Sequence, residues 1–213
     1  LTVAALRERG SARGAPAACG KLAVVVPAHD EEAGIGACVR GLLACEAPPN
    51  GARIVVIADN CSDRTAEAAQ AAGAEVLVRH DAERRGKGYA LEVAFAHVLA
   101  DPEVEAVLVV DADTEVQEDF LVAMAAAFAG GADGVQAPYV VSNPEASRRA
   151  RLMHVALLAF NVARPRGRDR LGLSVGILGN GFGLHRRVLE RLPYTARSVV
   201  EDRWAEYHEQ LRR

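Results

Sequence analysis

The sequence predicts an α/β fold, an open sheet flanked by helices within one domain, and three observations carry that expectation. Apolar runs of strand length recur at 22–26, 53–59, 74–78 and 106–111, alanine-rich stretches of helical length lie between them, and three of the runs end in polar clusters. Near-continuous apolar strands belong in a parallel sheet covered on both faces. Strand alternating with helix argues for right-handed βαβ units. With 213 residues, 50% of them hydrophobic, the chain can bury a full core as one domain.

Residues 1–20, rich in Ala, Gly and Arg, read as an N-terminal extension or linker. LAVVV (22–26) is the first strand, followed by a helix over about 31–45. RIVVIAD (53–59) is the second strand; its helix, about 63–72, has Ser62 or Asp63 as N-cap and Gly73 as its stop. AEVLV (74–78) and a helix over about 87–100 follow, then AVLVVD (106–111) and a helix over about 117–129. DGVQAPYVV (133–141) reads as a further strand and EASRRARLMHVALLAFNV (145–162) as a long amphipathic helix. The stretch 163–173, with Gly, Pro and Arg, is expected as a loop, either a mobile lid or disordered.

Charge and cysteine usage exclude several function classes. A net charge of −3 and a pI near 6.1 give no electrostatic footprint for nucleic acid. Cys19, Cys38, Cys45 and Cys61 have no CxxC spacing and read as reduced thiols of a cytoplasmic protein. No run approaches the roughly 20 apolar residues of a membrane span, and the residues from Leu1 do not read as a charged-then-apolar signal peptide.

In open α/β sheets, ligands bind beyond the carboxyl ends of the strands. PAHDEE follows the first strand, DNCSD the second and DADTE the fourth, so three polar clusters converge on one edge. Asp111-Ala112-Asp113 presents paired acids there. Mg²⁺ and Mn²⁺ take oxygen ligands, usually one or two carboxylates completed by substrate phosphates and water. Asp113 is the expected metal ligand, with Asp111 orienting a ribose or assisting the ligation.

RRGKGYAL (84–91) sets Arg85 and Lys87 among glycines at a helix start, where cations and backbone amides suit a diphosphate. It is not a P-loop, since GxxxxGK[ST] is absent. In SVVEDRWAEYH (198–208), Glu201-Asp202 offers a carboxylate able to act as general base, or simply an acidic pair at a helix start. In GNGFGLHRR (179–187), Gly179, Asn180 and Gly181 permit close backbone approach, or form an ordinary turn.

Taken in order, VVVPAHDEEAGI, VIADNCSDRTAEAA, RRGKGYAL, VVDADTEV, GNGFGLHRR and VVEDRWAEYH resemble the nucleotide-sugar glycosyltransferases of family 2 over roughly residues 21–210. The resemblance implies a GT-A fold, a Rossmann-like mixed sheet flanked by helices, with a domain over 21–213. It divides into a nucleotide-binding half at about 21–115 and an acceptor half at about 116–213. It implies that Pro27, Ala28, His29, Asp30 and Glu31 contact the nucleotide, with Glu31 near the ribose, and that Asp59 recognises the base. Asp111, with Ala112, would lie by the ribose, and Asp113 would hold Mg²⁺ or Mn²⁺ through the diphosphate. The pair Glu201-Asp202 would supply the catalytic base, Asp202, while Gly179, Asn180 and Gly181 would lie on the acceptor side.

The implied reaction is inverting transfer of a sugar from a UDP-, GDP- or dTDP-sugar to a glycan, lipid or small-molecule acceptor. Many relatives continue into further helices or membrane spans, whereas this chain stops eleven residues after Asp202 and has no QxxRW motif. A compact member or a chain cut at its C-terminus are the two expectations that follow.

Arg148, Arg149, Arg151, Arg164, Arg166, Arg168 and Arg170 form a basic stretch, read either as a solvated face or as a surface for anionic lipid or a polyanionic acceptor at the inner face of a membrane. The six histidines show no metal-ligand spacing, and Trp204 and Tyr207 read as helix packing. Two other enzyme classes compete. DADTE fits the DxDxT signature of haloacid-dehalogenase-like phosphatases, with Asp111 as nucleophile and Asp113 as acid, but there it ends the first strand. A sugar-1-phosphate nucleotidyltransferase would carry GxGxR where this chain has PAHDEE. A non-catalytic nucleotide-sugar-binding fragment is the remaining alternative.

Overall fold

A computed structural model describes residues 19–171, 173 and 176–195. The expectations for residues 1–18 and for 198–208, including Glu201, Asp202, Trp204 and Tyr207, lie outside the described residues.

Six strands make one mixed sheet: β1 (Lys21–Ala28), β2 (Ala52–Asp59), β3 (Glu75–Arg79), β4 (Val104–Val109), β5 (Gly134–Gln136) and β6 (Phe182–His185), in the order β3-β2-β1-β4-β6-β5. β3, β2, β1 and β4 are mutually parallel; β6 runs antiparallel to both β4 and β5. The chain therefore winds outward from β1 in both directions, and the crevice between the ends of β1 and β4 is the topological switch point.

Side chains alternate across the pleat, and both sets are apolar because both faces are covered. Leu22, Val24 and Val26 of β1 join Ile54 and Val56 of β2 and Ala106 and Leu108 of β4 on one face. Against them pack α1 (Ile35–Ala44), α2 (Thr65–Ala71) and α4 (Phe120–Ala129), with Ile35, Val39, Leu42, Met124 and Phe128 in the same cluster. Ala23, Val25, Ile57, Val107 and Phe182 face α3 (Lys87–Leu99) and α7 (Arg186–Arg191) through Leu91, Phe95, Val98 and Leu189. In α3 the buried residues 90, 91, 94, 95 and 98 follow the helical repeat that puts one stripe on the sheet. Each fully buried Leu or Phe contributes about 1.5–3 kcal/mol by leaving water.

Several details differ from the sequence expectations. The strand expected over 133–141 stops at Gln136, because Pro138 has no N–H to extend a ladder. Phe182–His185, read from sequence as part of a turn, is the buried strand β6. Gly183 lets it lie close to α4: a Cβ there would stand 2.5 Å from Leu108 Cδ2 and 2.9 Å from Phe128 Cζ.

The helix expected over 145–162 instead begins at α5 (Arg148–Leu157), capped by Ser147, whose hydroxyl accepts from the Ala150 amide. It continues through a π turn (Leu158–Ala163) into α6 (Arg164–Arg170). The stretch expected as a loop is thus helical to Arg170. Pro165 has no N–H to donate into the preceding turn, and the π turn stands immediately before it, where the helical ladder is already irregular. At α2 the carboxylate of Asp63 accepts from the Thr65 amide at 2.9 Å, and Gly73 ends that helix at φ +103°.

Candidate active site

The carboxyl ends of β1, β2 and β4 and the start of α3 enclose a cleft of about 730 Å³. It is lined by Pro27 and Ala28 at the end of β1, by His29 and Glu31 just after it, by Asp59 and Asn60 at β2, by His80, Arg85 and Lys87, and by Asp111, Ala112 and Asp113 after β4. Residues far apart in sequence meet here because the three parallel strands end at the same edge. Most of the expected nucleotide-side set is brought together; Asp30 is not among the lining residues.

Asp30 instead ties the first loop to the second. Its carboxylate accepts from the Ser62 amide at 2.6 Å, the bond that chiefly holds this carboxyl below the ordinary carboxylate value. The Glu32 amide donates to Asp63 at 3.0 Å, the Glu31 amide to Thr65 Oγ1 at 2.8 Å, and Arg64 pairs with Glu32 at 2.6 Å. Asp30 and Asn60 both take positive φ, +54° and +52°, so both strand ends turn sharply into these loops. Asp30, Cys61 and Asp63 are close enough to hold a metal ion, but the two carboxylates are already engaged by backbone amides.

Asp59 is buried, with Arg79 Nη1 at 2.5 Å and Asn60 Nδ2 at 3.1 Å, both on its Oδ1. Arg79 also reaches Asp81 at 3.0 Å and the Arg84 carbonyl at 2.7 Å, so its charge is matched on two sides. Oδ2 of Asp59 has no partner among the described residues. His29 Nδ1 lies 2.7 Å from the Asp59 carbonyl, linking the first loop to the end of β2.

The turn after β4 is held from below and from the side. Its Asp111 carbonyl accepts from the Thr114 amide at 3.0 Å and from the Cys38 thiol at 3.6 Å. Burial pushes that thiol up to about 11, which keeps it a donor. The Asp111 amide donates to Asn180 Oδ1 at 3.0 Å, and Asn180 Nδ2 donates to Thr114 Oγ1 at 2.9 Å. Lys87 Nζ sits 2.5 Å from Asp111 Oδ1 and 2.7 Å from the Gly179 carbonyl. Gly179 and Gly181 adopt φ +81° and +66°, which aims that carbonyl and the Asn180 side chain at the acids.

Asp113 is exposed in the cleft, and its carboxylate has no hydrogen bond or ion pair among the described residues. A solvent-facing, unengaged carboxylate beside a second acid suits a hard cation whose remaining ligands are phosphate and water oxygens.

Asn60, His80 and Arg79 were not singled out from sequence. The strand-end argument that singles out Asp59 applies equally to Arg79, His80 and Asp81 at the end of β3. Gly86, at φ +113°, starts α3 with a backbone only glycine adopts easily.

The family model for glycosyl transferase family 2 matches residues 23–192. The probable glycosyltransferase YdaM of Bacillus subtilis is 24% identical over 191 residues, covering 85% of this chain and 44% of that protein. The mannosyltransferase PcManGT from Pyrobaculum calidifontis, solved with GDP-Man and Mn²⁺, superposes with a TM-score of 0.61 at 20% identity, over 92% of this chain and 54% of that one. Glucosyl-3-phosphoglycerate synthase of Mycobacterium tuberculosis, solved with Mn²⁺, UDP-Glc and phosphoglyceric acid, gives 0.60 at 22% identity, over 90% and 66%. These likenesses establish the GT-A fold. The chain spans less than half the length of its curated relative.

Proposed function

The chain belongs to glycosyl transferase family 2, and from that premise we propose that it transfers a sugar from a nucleoside-diphosphate donor to an acceptor hydroxyl with inversion at the anomeric carbon. The observation that carries this reading is the meeting of Asp59, Lys87, Asp111 and Asp113 in one cleft. A base, a ribose and a diphosphate each need a different partner, and the cleft offers one for each.

In this reading the base lies against Asp59. Its Oδ1 is taken by Arg79 and Asn60, so Oδ2 remains to accept one N–H. Uracil and thymine present one N–H on that edge, whereas guanine presents an N1–H and an amino group that pair best with both oxygens. A UDP- or dTDP-sugar is therefore favoured over a GDP-sugar. Asp111 receives the ribose, and Lys87 and Arg85 bind the diphosphate.

The donor set fits Mg²⁺ or Mn²⁺ at Asp113, assisted by Asp111, and a cation there would neutralise charge on the leaving diphosphate. Lys87 supplies a fixed positive charge to the same oxygens. Asp202 takes the proton from the acceptor hydroxyl as its oxygen attacks the anomeric carbon and the bond to the diphosphate breaks. Asn180, through the Asp111 amide and Thr114, holds the acids in place during this displacement.

The phosphatase reading is weaker, because the acids follow β4 and not the first strand. Sugar transfer or hydrolysis assayed with UDP-, dTDP- and GDP-sugars and Mn²⁺ tests the proposal. Activity that disappears in Asp202→Asn while UDP binding persists is expected. Full activity in that variant would remove Asp202 as the base, and release of phosphate from a phosphomonoester would favour the phosphatase.

A further inference from the structure

The helical arm from α5 to α6 stands away from the core. No residue of α5 is buried, and Asn161 Nδ2 donates to the Tyr139 carbonyl at 3.0 Å while His154 Nδ1 lies 3.2 Å from the Val141 carbonyl. At 3.6 residues per turn, Ala150, His154, Leu157 and Asn161 fall on one side of the helix, and all are half-buried or buried. Leu152, Val155 and Ala159 fall on the opposite side, and all are exposed, Leu152 at 74% and Val155 at 63%.

An apolar stripe this exposed is unusual on a solvated helix. Its surroundings say what it meets. Residues 148–171 contain seven arginines and one acid, Asp169, in a chain whose overall charge is −3. Arg148 and Arg149 precede the stripe, and Arg164 follows it with its guanidinium 4.7 Å from the centre of the Phe160 ring, which is itself 53% exposed.

We propose that this face docks on an anionic lipid bilayer, with Leu152 and Val155 entering the headgroup boundary and the arginines resting on lipid phosphates. A helix with an apolar stripe and basic flanks lies in the plane of the interface, where its long cationic side chains reach the headgroups. The charge argues against a second copy as the occupant, since pairing two such faces would bring two arginine blocks together. The inference stands independently of the sugar-transfer reading.

Co-sedimentation of the full chain with vesicles of phosphatidylglycerol and phosphatidylcholine, compared with phosphatidylcholine alone, tests it. Binding at least about a hundredfold tighter to the anionic vesicles, weakened by added salt, is expected. Replacing Arg148, Arg149 and Arg166 by glutamine lowers that binding by about fivefold per residue, about a hundredfold together. Leu152→Ser with Val155→Ser lowers it at unchanged charge, which separates insertion of the stripe from simple attraction of charges. Circular dichroism confirms that both variants are folded.

Equal binding to the two kinds of vesicle overturns the proposal, as does anionic binding that the Leu152 and Val155 substitutions leave unchanged. A dimer in light scattering that dissociates in the Leu152→Ser, Val155→Ser variant would assign the face to a second copy and overturn it equally.

Discussion

The Lys87 ammonium is clasped between the Asp111 carboxylate at 2.5 Å and the Gly179 carbonyl at 2.7 Å. Both charged side chains are more than a third exposed, so the pair itself adds little to stability. Its value is positional: the lysine is held at the mouth of the cleft and can exchange Asp111 for a diphosphate. Lys87→Met should weaken UDP binding by about tenfold to a hundredfold, the loss expected for a hydrogen bond to a charged group. Uridine affinity and melting temperature should stay nearly unchanged, and calorimetric titration with UDP and uridine measures the difference.

Base preference follows from the occupied oxygen of Asp59. Titration with UDP, dTDP and GDP should rank the two pyrimidine nucleotides above the purine, and tighter binding of GDP would refute the assignment. Asp59→Ala should also destabilise the fold by about 3 kcal/mol, because Arg79 then keeps only Asp81 and the Arg84 carbonyl as partners in a buried setting. Urea unfolding checks this second effect.

Gly183→Ala should cost about 1–3 kcal/mol, the usual penalty of overpacking a full core. The added methyl would meet Leu108, Phe128 and Met124 at 2.5, 2.9 and 3.2 Å, all from well-buried side chains. Displacement of β6 would be transmitted to Asn180 and hence to the acids, so UDP binding with Mn²⁺ should fall along with the urea midpoint.

His185 makes stability depend on pH near neutrality. Burial, with Arg187 adding to it, lowers this histidine below its ordinary 6.5 despite Glu105 at 3.3 Å. The folded protein then holds fewer protons than the unfolded chain between the lowered value and 6.5. Its contribution is complete above 6.5 and is lost as pH falls through the lowered value. Urea midpoints measured on both sides of 6.5 should show this fall, and His185→Gln should flatten it.

Legibility in the sequence tracked how local each signal was. β1, β2 and β4 were readable because strands buried on both faces are continuous apolar runs. The acids were readable because strand ends gather ligands. β6 was not, since its four residues follow three turn-like ones and its partner β4 lies more than 70 residues earlier. The bonds of Asn180 to Asp111 and Thr114 depend on β6 lying beside β4, which no local pattern reports. The amphipathic and basic character of the arm is plain in its sequence. That its apolar side faces outward is a matter of tertiary contact.

Whether Asp113 joins a divalent cation to the donor diphosphate is read by titrating UDP, with and without Mn²⁺, into the wild type and Asp113→Asn. Mn²⁺ should tighten UDP binding at least about tenfold in the wild type, as expected of a cation bridging carboxylate and phosphates, and should have little effect in the variant. An equal effect of Mn²⁺ in both proteins would contradict the account.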